Sequence, residues 1–403
     1  MHTANTDAPY QDRFELARAG VLLGFAAAVQ VSIAAAELLL AVLLVLWVIW
    51  LFGERRRIEA PAMFVPLIAY AVATVVSTGF SSDPRVSLMA CKQLVLFLVV
   101  PAVYQLARGR RARAVLTVII VVGAASATIG ILQYALMGYD NLARRPHGVM
   151  GHYMTYSGLM MLVVCAAAAQ LLFGRRRLWP ALSLSLLLVA LTLTFTRSAW
   201  IGTLAGLGVL LSLKDVRLLV VLPFLAAAFF ALAPHGVTHR FYSIFDPVDV
   251  TNIERIAMLR EGARMVAAHP LVGLGPNMVE ERYAEYRAPT DPFHNNQHLH
   301  NVLVQIAAER GLPALGAWLW FVLSLALDLT KKLRRAAEPM FPAAAVAALA
   351  AMLAAGLFEY NFGDSEFLML FLVLVTLPYA AEHALEVQTQ VRSSPLVEAF
   401  QTR

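Results

Sequence analysis

The sequence predicts an all-α polytopic membrane protein, with about twelve transmembrane helices and a helical cap on one face. Three observations predict it. First, 60% of the 403 residues are hydrophobic and only 14% are charged, whereas a soluble globular domain carries about 25% charged residues. A single water-soluble core cannot hide such a surplus, because a large share of any folded surface faces solvent. Second, the apolar residues fall into runs of the length needed to cross the hydrocarbon core, roughly 20 residues each. Third, basic clusters follow every second run, and one long polar stretch interrupts the pattern.

The candidate spans lie near 16–34, 36–52, 62–80, 93–107, 112–137, 153–173, 179–196, 198–213, 216–233, 312–330, 340–358 and 366–384. The first pair breaks only around Glu37, and the pair 179–213 breaks only at Thr196-Arg197-Ser198. The basic clusters are Arg55-Arg56-Arg57, Arg108 to Arg113, Arg175-Arg176-Arg177, Lys214 with Arg217, and Lys331-Lys332 with Arg334-Arg335. Positive residues stay on the cytoplasmic side, so this alternation places all five clusters and both termini there. The N-terminal stretch lacks a basic n-region and a cleavage site, so the first apolar segment reads as a retained helix.

The opposite side receives short segments and the long polar stretch at 234–311. The chain thus divides into 1–233 with nine helices, the cap 234–311, and 312–403 with three helices and a tail, forming one integrated membrane domain. Within the cap, apolar spacing at Ile256, Leu259, Ala263, Val266 and Ala267 predicts a helix over 253–268. A turn follows from Pro270 to Pro276, then a polar helix over 277–287. The stretch is too short for an independent core and reads as a lid packed on the bundle.

The net charge of +6 does not indicate nucleic acid, because the basic residues come in short clusters between apolar runs and form no polar stripe. Cys91 and Cys165 sit in or beside apolar runs, so no disulfide framework or cysteine metal site follows.

Candidate chemistry gathers on the cap side. His294, His298 and His300 fall within seven residues where the cap re-enters the bundle. A neutral imidazole accepts a proton from a hydroxyl near pH 7, which suits general-base work; histidines also populate membrane interfaces without chemistry. His294 and His298 share a helix face as in zinc proteases, but Asn-Asn-Gln between them offers no glutamate, and no third ligand is evident. No metal or other cofactor is expected. Arg197 sits in a tight break between two spans, where a guanidinium normally faces a cavity or a partner; the alternative is an arginine reaching for lipid headgroups. The cap helix adds Arg255, Arg260 and Arg264, whose forks match phosphate oxygens or simply solvate the helix beside Glu254 and Glu261. Glu37, Arg85, Lys92, Arg144, Arg145, His147, His152, Glu359 and Asp364 rank lower.

These residues sit in recognisable phrases. Thr194-Phe-Thr-Arg197-Ser-Ala-Trp-Ile-Gly202 resembles the central arginine motif of the O-antigen ligase and polymerase superfamily. Arg255 through His269-Pro270-Leu-Val-Gly273-Leu-Gly275 is similar to its cap helix and His-Pro-Leu-x-Gly-x-Gly turn. His300-Asn301-Val-Leu303, running to Glu309-Arg310-Gly311, is similar to its His-Asn-x-x-Leu re-entry helix, and Tyr153-Met-Thr-Tyr156-Ser-Gly158 to a weaker upstream motif. Order and spacing agree over most of the chain.

The resemblance implies a GT-C-type glycosyltransferase of the Gram-negative inner membrane with a periplasmic active site. In the ligase branch, glycan passes from undecaprenyl pyrophosphate to the lipid A–core oligosaccharide without metal, among membrane lipids. Carried over residue by residue, Arg197 matches the pyrophosphate arginine, and Arg255 or Arg264 a second one, with Arg260 beside them. His300 matches the base, with His298 able to take that role; Asn301, His147, His152 and Tyr156 are secondary candidates. The polymerase and protein O-oligosaccharyltransferase branches share the donor. One long outer loop favours the ligase over the polymerase, and the short C-terminal tail tells against the third branch. A lipid-linked glycan transporter would need midplane charge, which the spans nearly lack.

Overall fold

A computed structural model describes residues 8–288 and 296–392. The described residues fold into helices and connecting turns, without a strand. They are α1 (Ala8–Ala28), α2 (Ile33–Gly53), α3 (Phe64–Gly79), α4 (Pro84–Ala90), α5 (Val99–Leu106), α6 (Arg110–Met137), α7 (Tyr153–Phe173), α8 (Leu178–Leu193), α9 (Arg197–Lys214), α10 (Val221–Leu232), α11 (His235–Tyr242), α12 (Val250–Ala268), α13 (Met278–Tyr286), α14 (Val302–Arg335), α15 (Met340–Gly356) and α16 (Ser365–Arg392).

Six helical runs are long and apolar enough to cross a bilayer: α2, the run 84–106, α6, α7, α14 and residues 365–382 of α16. Four shorter apolar helices are α3, α8, the run 216–232 and α15. This is consistent with a membrane protein. The remaining two expected spans form α1 and α9, which do not reach that apolarity, because α1 carries Arg13, Glu15 and Arg18 and α9 is bounded by Arg197 and Lys214.

Helix ends depart from the expected ones where capping residues intervene. The run expected at 93–107 begins at Pro84, because Asp83 accepts from the Arg85 and Val86 amides and proline is tolerated in the first turn. The cap helix starts at Val250, ahead of the expected 253, because Asp249 accepts from the Asn252 amide. Asn301 does the same for α14 through the Val304 amide, so that helix begins ten residues before the expected span.

The centre of the bundle is α7, α15 and residues 365–382 of α16, whose side chains are mostly buried. Helix α9 packs on α15 at Gly202 and Gly206. A Cβ at Gly202 would meet the Ala351 carbonyl oxygen at 2.7 Å, so the spacing of small residues sets how closely the two backbones approach. Outer helices turn apolar side chains outward, as with Leu38, Val45 and Phe52 of α2, which suits a lipid surroundings.

The cap holds a small core of its own, formed by Met258, Met265, Leu274, Met278, Val279, Tyr283 and Leu299 against Ala308 of α14. It is seated by backbone pairing: the Leu274 and Gly275 amides donate to the Ala308 and Glu309 carbonyls, and the Leu312 amide to the Pro270 carbonyl. This pairing requires α14 to break, and Gly311 supplies the break with φ +80°. A Cβ there would sit 2.2 Å from the Leu271 carbonyl oxygen, which explains why glycine occupies the position.

Candidate active site

Arg197 is the first residue of α9 and follows a three-residue turn from α8 in which Phe195 has φ +56°. His300 has φ +46° and immediately precedes the Asn301 cap of α14. Left-handed backbone at a non-glycine residue costs about 1–3 kcal/mol and concentrates at functional sites. Two of the four such residues among those described flank or form this site.

Arg197 is 4% exposed, although it begins a helix. Its guanidinium donates to the Ser243 carbonyl at 2.8 Å and to the Ser243 hydroxyl at 3.0 Å. A third contact runs to Asp249 at 3.3 Å. Asp249 extends its other oxygen to Arg240 at 3.6 Å. One carboxylate is therefore held between two guanidiniums at the mouth of the cap helix. Burial alone would raise the Asp249 carboxyl, but Arg197 and Arg240 hold it below the usual carboxylate range. Burial, with Arg197, Arg145 and Arg255 close by, pulls the Arg240 guanidinium down to about 10. Burial and Arg197 also lower Arg255, while Glu359 acts in the opposite direction.

His300 faces these arginines. Its Nδ1 lies 2.9 and 3.0 Å from the two oxygens of Glu359. Burial pushes Glu359 up, yet the hydrogen bond and charge of His300, with His298 and Arg255, bring it below its ordinary value. In a neutral His300 that donates its Nδ1–H to an anionic Glu359, the Nε2 lone pair is free, the tautomer a general base needs. The ring is 23% exposed, enough to reach a substrate.

Two cavities meet at these groups. One, of about 360 Å³, is lined by Arg197, Arg255, His300 and apolar residues such as Ile201, Phe245, Leu259 and Leu357. The other, of about 290 Å³, is lined by Arg145, Arg197, Arg240, Arg255 and His300, with Tyr153 and Glu254. The first suits a chain or sugar with apolar faces, and the second an anion. Helix α9 begins there without a side-chain cap, so its first amides also face anions favourably.

The structure brings together Arg197, Arg255 and His300 of the residues singled out in the sequence. It does not bring in Arg264, which pairs with Glu261 at 2.7 Å and donates to the Tyr286 carbonyl, or the exposed Arg260. Neither lines the two cavities. His298 stands beside His300, ring centres 5.2 Å apart, and opens onto a third cavity with His152, Glu359 and Asp364. Burial and His300 lower its pKa, with Glu359 opposing. Asn301 caps α14 and donates to the Leu357 carbonyl, which fixes the backbone behind His300. Tyr156 is buried in the bundle, donating to the Ser126 carbonyl, and His147 packs edge-on against Tyr139 outside these cavities.

Possible ligand atoms of His298, His300 and Glu359 lie within 4.8 Å of one another, a grouping able to hold a metal ion. His300 Nδ1 is engaged by Glu359, so an ion that takes Nδ1 would displace that hydrogen bond. His294, whose spacing from His298 resembles a zinc-protease pair, lies outside the described residues.

The sequence alone pointed to neither Arg240 nor Asp249, and it ranked Glu359 and Arg145 low. Asp249 had one signal: an aspartate preceding a helix-forming run, the mark of an N-cap. Arg240 lies in an aromatic stretch that carries no motif.

Residues 182–319 match a family model described as O-antigen ligase. The match supports membership of the O-antigen ligase superfamily. It contains Arg197, Arg240, Asp249, Arg255, His298 and His300, and stops short of Glu359. The family implies a glycosyltransferase-like activity in the O-antigen pathway. Among curated proteins no match was found.

Proposed function

We propose that this protein is an O-antigen ligase, transferring glycan from undecaprenyl pyrophosphate to the lipid A–core oligosaccharide at the periplasmic face of the inner membrane. The observation that carries the reading is that Arg197, Arg255 and His300, widely separated in sequence, line the same two cavities. Diphosphate binding falls to Arg197 and Arg255, whose guanidiniums neutralise the leaving group as charge grows on it in a low-dielectric site.

His300 Nε2 takes the proton of the acceptor hydroxyl as its oxygen attacks the anomeric carbon. The bond from that carbon to the phosphate oxygen breaks, and undecaprenyl diphosphate leaves with the electron pair. Glu359 holds the imidazole in register and offsets the positive charge it acquires. A one-step displacement of this kind inverts the anomeric centre. Two arginines already neutralise the diphosphate, so the reading assigns no step to a metal ion or other cofactor. The alternation of basic clusters supports a multi-pass topology with both termini cytoplasmic and the cap outside.

Purified protein reconstituted with an undecaprenyl-linked glycan and each acceptor in turn tests this. Transfer to lipid A–core, unaffected by EDTA, is expected. Growth of the lipid-linked glycan instead indicates a polymerase, modified protein indicates an oligosaccharyltransferase, and activity restored to chelated enzyme by a divalent ion refutes the metal-free route.

A further inference from the structure

Helix α6 runs 28 residues from Arg110 to Met137, roughly 42 Å at about 1.5 Å per residue. Its C-terminal end leads to Arg145 and Tyr153 at the candidate active site. Its N-terminal end is therefore at the far side of the bundle, where a separate cavity of about 440 Å³ opens between α1, α2, α5 and α6. Five arginines and two glutamates line it.

Three of the arginines are matched: Arg56 by Glu54 at 3.3 Å, Arg108 by Glu59 at 2.8 Å, and Arg111 by Glu15. For Arg18 and Arg110 no ion pair with a carboxylate is found among the described residues. Arg18 is 7% exposed, and its Nε is buried without a hydrogen-bond partner. Its guanidinium is held against the rings of Phe14 at 5.0 Å and Trp50 at 4.8 Å. A buried cation fixed by two rings, with its Nε donor left without an acceptor, is a prepared anion site. On the same two helices, Leu16 and Phe52 are 72% and 81% exposed and form apolar outer faces beside the cavity-lining ones.

We infer that this cavity binds the phosphodiester headgroup of an anionic phospholipid, its acyl chains lying beside Leu16 and Phe52. Phosphate oxygens fit a planar guanidinium fork, and basic pockets between membrane helices take such headgroups. A soluble phosphate shares the charge but has no use for the exposed apolar faces of α1 and α2 next to the cavity, which favours the lipid. This site is independent of the transfer reaction proposed above and stands or falls separately.

The test is thermal unfolding of the full chain in neutral detergent with added phosphatidylglycerol, phosphatidylcholine or inorganic phosphate. Phosphatidylglycerol should raise the midpoint saturably, and Arg18→Gln and Arg110→Gln should each weaken that response about tenfold. Arg110 is exposed, so its variant keeps the test valid if the buried Arg18→Gln fails to fold. An equal response to phosphatidylcholine, an equal response to inorganic phosphate, or an undiminished response in the folded variants overturns the inference.

Discussion

Replacing Asp249 with asparagine should tighten diphosphate binding. Asp249 lies 3.3 Å from Arg197 and 3.6 Å from Arg240, where a well-formed charge-assisted bond measures about 2.7–2.9 Å. It therefore occupies the clamp without filling it well. Asparagine keeps the cap on α12, since it is as good an N-cap as aspartate, and removes only the charge. A hydrogen bond to a charged group nets about 1.5–3 kcal/mol. Both contacts are stretched, so the low end applies, and about 1.5 kcal/mol corresponds to about tenfold in affinity. Arg197 keeps its two bonds to Ser243 and so stays in place. The assay is calorimetric titration of inorganic pyrophosphate into wild type and Asp249→Asn, with the donor KM measured in proteoliposomes. Both should fall about tenfold. Unchanged or weaker binding in a folded variant refutes the idea that Asp249 stands where a donor phosphate goes, and leaves it as a tie between cap and bundle.

Three further outcomes follow from the same geometry. Glu359→Gln should lower kcat for transfer about 100-fold, the scale of general-base assistance, while donor KM stays within about twofold; an unchanged kcat removes Glu359 from the mechanism. Arg255→Ala should raise donor KM about tenfold, as expected for losing one charge-assisted contact, whereas Arg264→Ala should leave it unchanged because Arg264 faces Glu261 and Tyr286. The reverse result would move the second phosphate arginine to the outer face of α12.

Acid should loosen the cap in two stages. His298 is lowered in the folded protein from its ordinary 6.5, so the unfolded chain takes the proton first and stability is lost as pH falls below about 6.5. Asp249 and Glu359 are also lowered, from 3.8 and 4.5, so their contributions are present above those values and lost further into acid. The midpoint of thermal unfolding should drop between pH 7 and 5.5, and His298→Gln should flatten that drop; an equally steep drop in the variant assigns it elsewhere.

Much of the fold was legible because lipid imposes a simple rule: every crossing segment must be a long apolar helix. That rule located α6 and α7 to within a few residues. It failed at α14, where Asn301 extends the helix and Gly311 then breaks it, because the break is dictated by the cap turn docking from 40 residues away. The same distinction governs the site. Arg197 stood out because a buried guanidinium between two apolar runs has few explanations, and His300 because three histidines cluster near it. Arg240, Asp249 and Glu359 reach Arg197 and His300 only through folding that brings the 240–249 segment and the α15–α16 connection against α9 and α14. No local pattern records such a meeting. Arg260 and Arg264 share a face of α12 by helical spacing, and neither lines the two cavities that hold Arg197, Arg255 and His300.

The central claim is that His300, oriented by Glu359, activates the acceptor hydroxyl beside the arginine clamp. The most direct measurement is transfer from an undecaprenyl-linked glycan to lipid A–core by reconstituted wild type, His300→Ala and His298→Ala, each checked for folding by thermal unfolding in detergent. The account predicts transfer by wild type and His298→Ala, with transfer abolished in a folded His300→Ala. Full transfer by His300→Ala, with His298→Ala inactive, would contradict it and move the base two residues upstream.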